Sequence, residues 1–530
     1  MSQQYDVIVV GAGHNGLLVA AYMAKAGLKT LVLEKEKWLG GATSTAEATL
    51  PGFKHDLGGT MHSAIQGNPV IANDELGLKK KYGLKYLYPE MSAANIFEDG
   101  TSITFWHSID KTCDEIAKFS QHDAEAYKKF NEMAIPMLPL LGAGMFSAPP
   151  AFGQMIAQFD QNPIGRELVR FLMMSGWDVA NQWFTHPKTL ATALKISTEA
   201  MVGPEEKGTA MYMLLGIPFH HIGHAGFPEG GSVELPKAIV RCIEANGGCV
   251  LLDREVVTIK TKGGKAVGVV TADGEEYSAS RAVVSNVDPR ISLLKWLDTP
   301  LSADIQRKLN AILEPLFSGM MQAIALNEAP VYIGDPDSGV NKAVVVEPLP
   351  MSVTDLRQMF DELRYGQVPT KGYAPFVVVP TKIDPSRAPE GKHVLYLWHY
   401  MPYNLADGGH NKWDEIKVEV ADKVLNEFRK YAPNVTDDNI LGRRILSPND
   451  YPKWNNNLVN GAVVGFGGYL SQSYGYRPIP EMGQYRTPVK GLYLSGQSTH
   501  PGGAIMGGGR ATAQIIFQDL GIDFDDVIEV

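Results

Sequence analysis

The chain reads as an α/β protein in which a parallel-sheet nucleotide-binding domain is interrupted by an α+β region with a mixed sheet and a helical subdomain. Three observations carry that reading. The first is the order Tyr5-Asp6-Val7-Ile8-Val9-Val10, Gly11-Ala12-Gly13-His14-Asn15-Gly16, an amphipathic stretch to Gly27, and Leu31-Val32-Leu33-Glu34. The second is a helical period at 233–245 followed by a β-rich run at 250–286. The third is an apolar strand signal at Leu492-Tyr493-Leu494 that leads into a glycine-rich turn and a final helix.

Each part of the first unit has a physical duty. Gly11 permits the tight turn, Gly13 lets backbone approach a pyrophosphate, and Gly16 lets helix and strand pack closely. The helix that opens at the turn offers unpaired N–H groups and a positive dipole end to phosphates. Glu34, roughly 20 residues past the turn with Lys35 beside it, is placed to accept ribose hydroxyls and would repel a 2′-phosphate. Strand, glycines, helix, strand and terminal acid together specify a Rossmann-type unit far better than the glycines alone.

Trp38-Leu39-Gly40-Gly41-Ala42-Thr43 adds a glycine pair just past the acid, where a longer dinucleotide needs the backbone out of its way. The C-terminal turn runs Ser495-Gly496-Gln497 and Thr499-His500-Pro501-Gly502-Gly503-Ala504-Ile505-Met506. It supplies a second helix start, whose N–H groups and dipole suit negative charge on a reduced flavin. Ordinary loop chemistry accounts for each glycine cluster singly, but poorly for their bracketing the whole chain. Asn15, Gly40, Gly41, Ala42, Thr43, Gly496, Gly503, Ala504, Ile505 and Met506 are therefore expected at a non-covalently bound FAD.

These motifs, with Pro228-Glu229-Gly230-Gly231 at mid-chain and Arg443-Arg444 before Ser447-Pro448, resemble the phytoene desaturase-related flavoproteins of the amine oxidase-like superfamily. The carotenoid desaturase/ketolase branch and the pyridine nucleotide-disulfide oxidoreductase-domain proteins are the most similar in form. The resemblance runs from end to end and implies a glutathione reductase-like FAD domain in three pieces, 1–85, 227–286 and 485–530. Between them lie a helical substrate or entrance region at 86–226 and a substrate-domain sheet at 287–484. It also implies that the Val256 backbone lies beside the adenine and that the strand ending at Asn286 returns to the central sheet.

Bulk properties narrow the function. At 530 residues, 45% hydrophobic and 20% charged, the composition is that of a globular protein of two or three domains. A net charge of −10 leaves no basic surplus for nucleic acid. The run Lys79-Lys80-Lys81 reads first as a solvated face and second as a contact with acidic lipids. Cys113, Cys242 and Cys249 form no C-x-x-C pair and no metal-ligand spacing. The start carries no signal-peptide pattern, no apolar run is long enough to span a membrane, and a cytoplasmic protein is expected, with peripheral membrane contact as a second reading.

The first insertion is rich in Met133, Met137, Met145, Met155, Met173 and Met174, and 135–159 is strongly apolar. Helical packing explains this first, and a greasy entrance for a lipid-like substrate second. The second insertion shows strand patterns at 320–326, 343–346, 376–380 and 393–400, expected to form a sheet roofing the flavin. Candidate catalytic residues are His221 and His224, which directly precede the return at Pro228, and Tyr474 and Tyr476, which precede the last domain segment. His500 reads as a loop hydrogen-bonder and Asp56 as a structural acceptor. The spacing of His220, His221 and His224 lacks a partner set, so no metal is expected.

The expected function is an FAD-dependent dehydrogenase or desaturase that forms C=C bonds in an apolar isoprenoid or alicyclic substrate, with or without a ketone. Electrons would pass to oxygen or a quinone. The alternatives are ketolase-like oxygenation, amine oxidation, and a non-catalytic flavin-binding interaction protein.

Overall fold

The structure is a computed structural model that describes residues 3–223, 225–503 and 506–528. His224, Ala504 and Ile505 lie outside the described residues. Val7, Ile8, Val9 and Val10 are almost completely buried, as a strand covered on both faces requires. Their strand, Gln3–Val10, runs parallel to Glu276–Ser285 on one side and to Thr30–Leu33 on the other. Cys249–Leu251 extends the sheet beyond Thr30–Leu33, and Leu492–Leu494 pairs in parallel with the far half of Glu276–Ser285. The near half of that long strand instead takes an antiparallel meander, Val256–Lys262 and Lys265–Thr271. One seven-stranded sheet thus draws on three separate lengths of chain.

The β-rich run expected at 250–286 opens with two strands, Cys249–Leu251 and Val256–Lys262, and not with one continuous strand. It breaks at 252–255, where Asp253 takes a positive φ of 56° and Arg254 donates its N–H to the Glu34 carbonyl at 2.8 Å. The parallel pairing stops with Thr30–Leu33, and the freed chain wraps the end of that short strand before beginning the meander.

The second sheet is mixed and also seven-stranded. Its order is Ile440–Leu446, Ser318–Leu326, His393–Met401, Phe376–Val378, Val345–Leu349, Met91–Phe97, Ser102–Trp106. All neighbours are antiparallel except Val345–Leu349 with Met91–Phe97. The region expected to be helical therefore also contributes two strands. Its helices follow, including Pro187–Ser197 and Ala210–Ile222. The methionines divide by role: Met137 and Met155 are core, Met145 lines a cavity, and Met173 is 60% exposed.

Candidate functional site

Where the two sheets meet, the three glycine clusters crowd one another. Gly11 has φ +97°, as its turn demands. A Cβ on Gly16 would meet the Gly11 carbonyl oxygen at 2.4 Å, so helix and strand are in backbone contact there. A Cβ on Gly13 would lie 2.8 Å from Asn286 Nδ2, and one on Gly41 would lie 3.3 Å from the Gly13 Cα. On Gly496 it would meet Asn286 Oδ1 at 2.4 Å, and that oxygen is buried with no hydrogen-bond partner. An unsatisfied buried acceptor between three glycine turns is a cradle with room for a polar group to complete it.

Two helix N-termini point into this cradle. His14–Lys25 starts at Gly13, and Gly507–Leu520 starts after Met506, which has φ +65°. Asn15 joins them, its Oδ1 accepting from the Gly509 N–H at 2.9 Å. Its amide also donates to His14 Nε2, so the His14 proton sits on Nδ1 and is donated to Thr43 Oγ1 at 2.8 Å. Burial pulls the His14 pKa down to about 4, so the ring stays neutral. Asp56 ties the surrounding segments together. It accepts from Thr45 Oγ1, Thr60 Oγ1 and the Ser232 N–H, and faces the Arg387 guanidinium at 2.6 Å.

At one end the cradle opens into a cleft of about 600 Å³, open mouth included, bordered by Gly11, Glu34, Lys35, Trp38, Val256 and Asn286. Glu34 is pinned there: Oε2 accepts from the Ala12 N–H at 2.6 Å and Oε1 from the Glu36 N–H at 2.9 Å. Burial raises its pKa against those hydrogen bonds. Lys35 pairs with Glu255 at 3.3 Å. At the other end, Gly13, Asn15, Gly40, Gly41, Ala42 and Thr43 border a cavity of about 2710 Å³, open mouth included. Gly496 and Gly503 also line it. Gly16 does its work in the packing beneath. The Met506 side chain is buried in the core under the first sheet, which leaves only its backbone for the site.

The expected catalytic residues are placed differently. His221 does not line the cavity. Its Nδ1 donates to the Trp106 carbonyl at 2.9 Å and its Nε2 accepts from the Tyr127 hydroxyl at 2.8 Å, so both nitrogens are spent on packing Ala210–Ile222. One helical residue is a rotation of about 100°, and it is His220 that faces the cavity, stacked on Phe105 with Nδ1 2.9 Å from Ser92 Oγ. Tyr474 and Tyr476 also turn away, both packing on Phe152, and Tyr474 stacks on His500. The next residue, Arg477, lines the cavity and donates to the carbonyls of Gln497 and Phe466. His500 donates Nε2–H to the Gly144 carbonyl at 2.8 Å, a loop bond.

Sequence reading missed the chamber's own polar group. The walls are mostly apolar and aromatic, with Phe219, Phe376, Tyr396 and Trp398 among them. Inside them stand Lys195, Glu199 and Glu347. Lys195 Nζ meets Glu347 Oε1 at 2.6 Å with the lysine only 2% exposed. Burial pulls the lysine's pKa down, but Glu347 holds it above its usual range. Two signals were available: a glutamate inside the otherwise apolar stretch Val345–Leu349, and Lys195 and Glu199 four residues apart. Among the described residues no cluster of metal-ligating side chains is present, and no helix is long and apolar enough to cross a membrane.

A family model described as "Flavin containing amine oxidoreductase" matches residues 16–516. The chain belongs to this family. Its cofactor is FAD, and the chain is an FAD-dependent oxidoreductase related to the phytoene desaturase-type flavoproteins. It is 30% identical over 580 residues to the "Pyridine nucleotide-disulfide oxidoreductase domain-containing protein 2" of Rattus norvegicus, spanning 98% of this chain and 94% of that protein. It is 26% identical over 550 residues to a component of the limonene dehydrogenase of Castellaniella defragrans, spanning 98% of this chain and 96% of that protein. It is 25% identical over 539 residues to the lycopene-forming "Phytoene desaturase" of a Paracoccus species, spanning 97% of each. Dehydrogenases and desaturases are thus among this flavoprotein's relatives.

Proposed function

We propose that this flavoprotein is a dehydrogenase that introduces a C=C bond into an apolar isoprenoid or alicyclic small molecule. The observation that carries the reading is continuity: one cavity leads from the glycine cradle into a chamber whose walls are mainly aromatic and aliphatic. Relatives named for limonene and for lycopene formation support the same substrate class.

In this reading Gly11, Gly13, Glu34, Lys35 and Val256 hold the adenosine and pyrophosphate end. Asn15, Gly40 to Thr43, Asn286, Gly496 and Gly503 hold the flavin end, together with the backbone at Met506. FAD, when bound, supplies the acceptor for a hydride from a substrate C–H bond. The chain's contribution is position and dryness. Phe219, Phe376, Tyr396 and Trp398 clamp an apolar skeleton and exclude water from the chamber. The N–H groups at the starts of His14–Lys25 and Gly507–Leu520 favour negative charge on that side of the site. His14, held neutral, keeps the Thr43 hydroxyl oriented. The electrons then leave to oxygen or a quinone.

The test is anaerobic mixing of the yellow protein with monoterpene and alicyclic candidates. Bleaching of the flavin by a member of this class, with recovery on adding oxygen or a quinone, is the expected result. Bleaching by amines alone would overturn it.

A further inference from the structure

Glu199 is the one acid of the chamber that the ion pair leaves over. Lys195 and Glu347 satisfy each other at 2.6 Å, and the Lys195 ammonium also lies 5.1 Å from the centre of the Tyr400 ring. The Tyr400 hydroxyl is engaged at 2.7 Å with Thr198 Oγ1. Glu199 feels both members of the pair by charge alone, and among the described residues no hydrogen bond reaches its carboxyl. It borders the cavity and is exposed to that space while protein surrounds it. Tyr212, on the same wall, lies within electrostatic reach of both Glu199 and Arg477, which connects this group to the rim at Gln497.

We infer that Glu199 is the polar anchor of the substrate chamber and takes a hydrogen-bonding oxygen, a ketone carbonyl in particular, on an otherwise apolar substrate. This deepens the dehydrogenase reading and rests on it. Lys195 and Glu347 already cancel, so an ionised Glu199 would leave a second anion beside Glu347 in a mainly apolar cavity. Burial raises the Glu199 pKa, Lys195 opposes that rise and Glu347 adds to it, which shifts the carboxyl toward its protonated form. The groups facing it are Lys195, Glu347, Tyr212 and Tyr400, and burial lifts both tyrosines further from titration. A protonated carboxyl donates to a carbonyl without creating charge. An ammonium group would have to force Glu199 to ionise, and a plain hydrocarbon would leave its donor without a partner, which a buried site penalises.

The experiment uses the full FAD-loaded chain and three compounds with one skeleton: menthone, p-menthane and menthylamine. Binding is read from the difference spectrum of the oxidised flavin and from intrinsic tryptophan fluorescence, with no turnover needed. The expected result is menthone binding about ten-fold tighter than p-menthane, the worth of a single net hydrogen bond. Glu199→Gln, whose amide still donates, keeps most of that preference. Glu199→Val removes it by weakening menthone and by letting p-menthane bind at least as tightly as in the wild type, with flavin content as the check on folding. Equal binding of menthone and p-menthane to the wild type would overturn the anchor alone. Tightest binding of menthylamine would overturn it in favour of a cation site. Failure of all three to bind would overturn the apolar-substrate reading, and this inference with it.

Discussion

A side chain added at Gly13 and one added at Gly16 should have different consequences, although both sit in one six-residue turn. At Gly13 the new atom meets only the end of the Asn286 side chain and fills the space a pyrophosphate needs. Gly13→Val should therefore fold with a near-native melting temperature and purify without FAD. At Gly16 the new atom strikes backbone, so Gly16→Val should lose on the order of 1–3 kcal/mol of stability in a denaturant melt as well as its flavin. The histidines separate in the same manner. His221→Ala strands the Tyr127 hydroxyl and the Trp106 carbonyl and should cost about 1–3 kcal/mol, while flavin reduction per bound FAD stays at the wild-type rate. A hundred-fold loss of reductive rate at His221 with unchanged stability would contradict that assignment. The glycines were legible because their duty is set by neighbouring backbone. The choice between His220 and His221, or Tyr476 and Arg477, depends on a rotation of one residue, which tertiary packing alone decides. Lys195 and Glu347 are 152 residues apart, and only the fold brings them together.

At the scale of elements, the site depends on two helix starts held face to face by Asn15. Removing its amide in Asn15→Ala leaves the buried Gly509 N–H without an acceptor and frees His14 from one of its two hydrogen bonds. The expected outcome is roughly ten-fold weaker FAD retention, measured by flavin release on dilution; retention equal to wild type would show that the two helices are aligned by packing alone. The strands of the first sheet were largely readable, because a doubly buried parallel strand is an unbroken apolar run. The break after Leu251 was not, since the sequence remains β-forming on both sides of Asp253. The second sheet recruits Met91–Phe97 through a single parallel pairing with Val345–Leu349, a long-range contact that no local periodicity encodes.

Across the whole molecule, buried imidazoles make stability depend on pH in a definite direction. His14, His55, His399 and His500 are held neutral by burial, with pKa values pulled down to about 4. His399 shows how: Nδ1 donates to the Tyr400 carbonyl at 2.8 Å and Nε2 accepts from the Ala374 N–H. Unfolded histidine takes a proton below about 6.5. Between 6.5 and 4 the unfolded chain therefore binds more protons, and stability is lost as pH falls through that window. Melting temperature should be flat from pH 7 to 8 and drop steeply from 6.5 toward 4; a maximum near pH 5 would contradict the neutral assignments.

In the proposed reaction the substrate loses two hydrogens in the aromatic chamber. The measurement that tests it most directly is the mass of the product formed from a monoterpene or alicyclic compound that bleaches the flavin, taken in a single anaerobic turnover. The expected product is lighter than its substrate by two hydrogen atoms, with the carbon skeleton intact. A product that has gained oxygen when turnover is repeated in air, or one that has lost nitrogen, would contradict it.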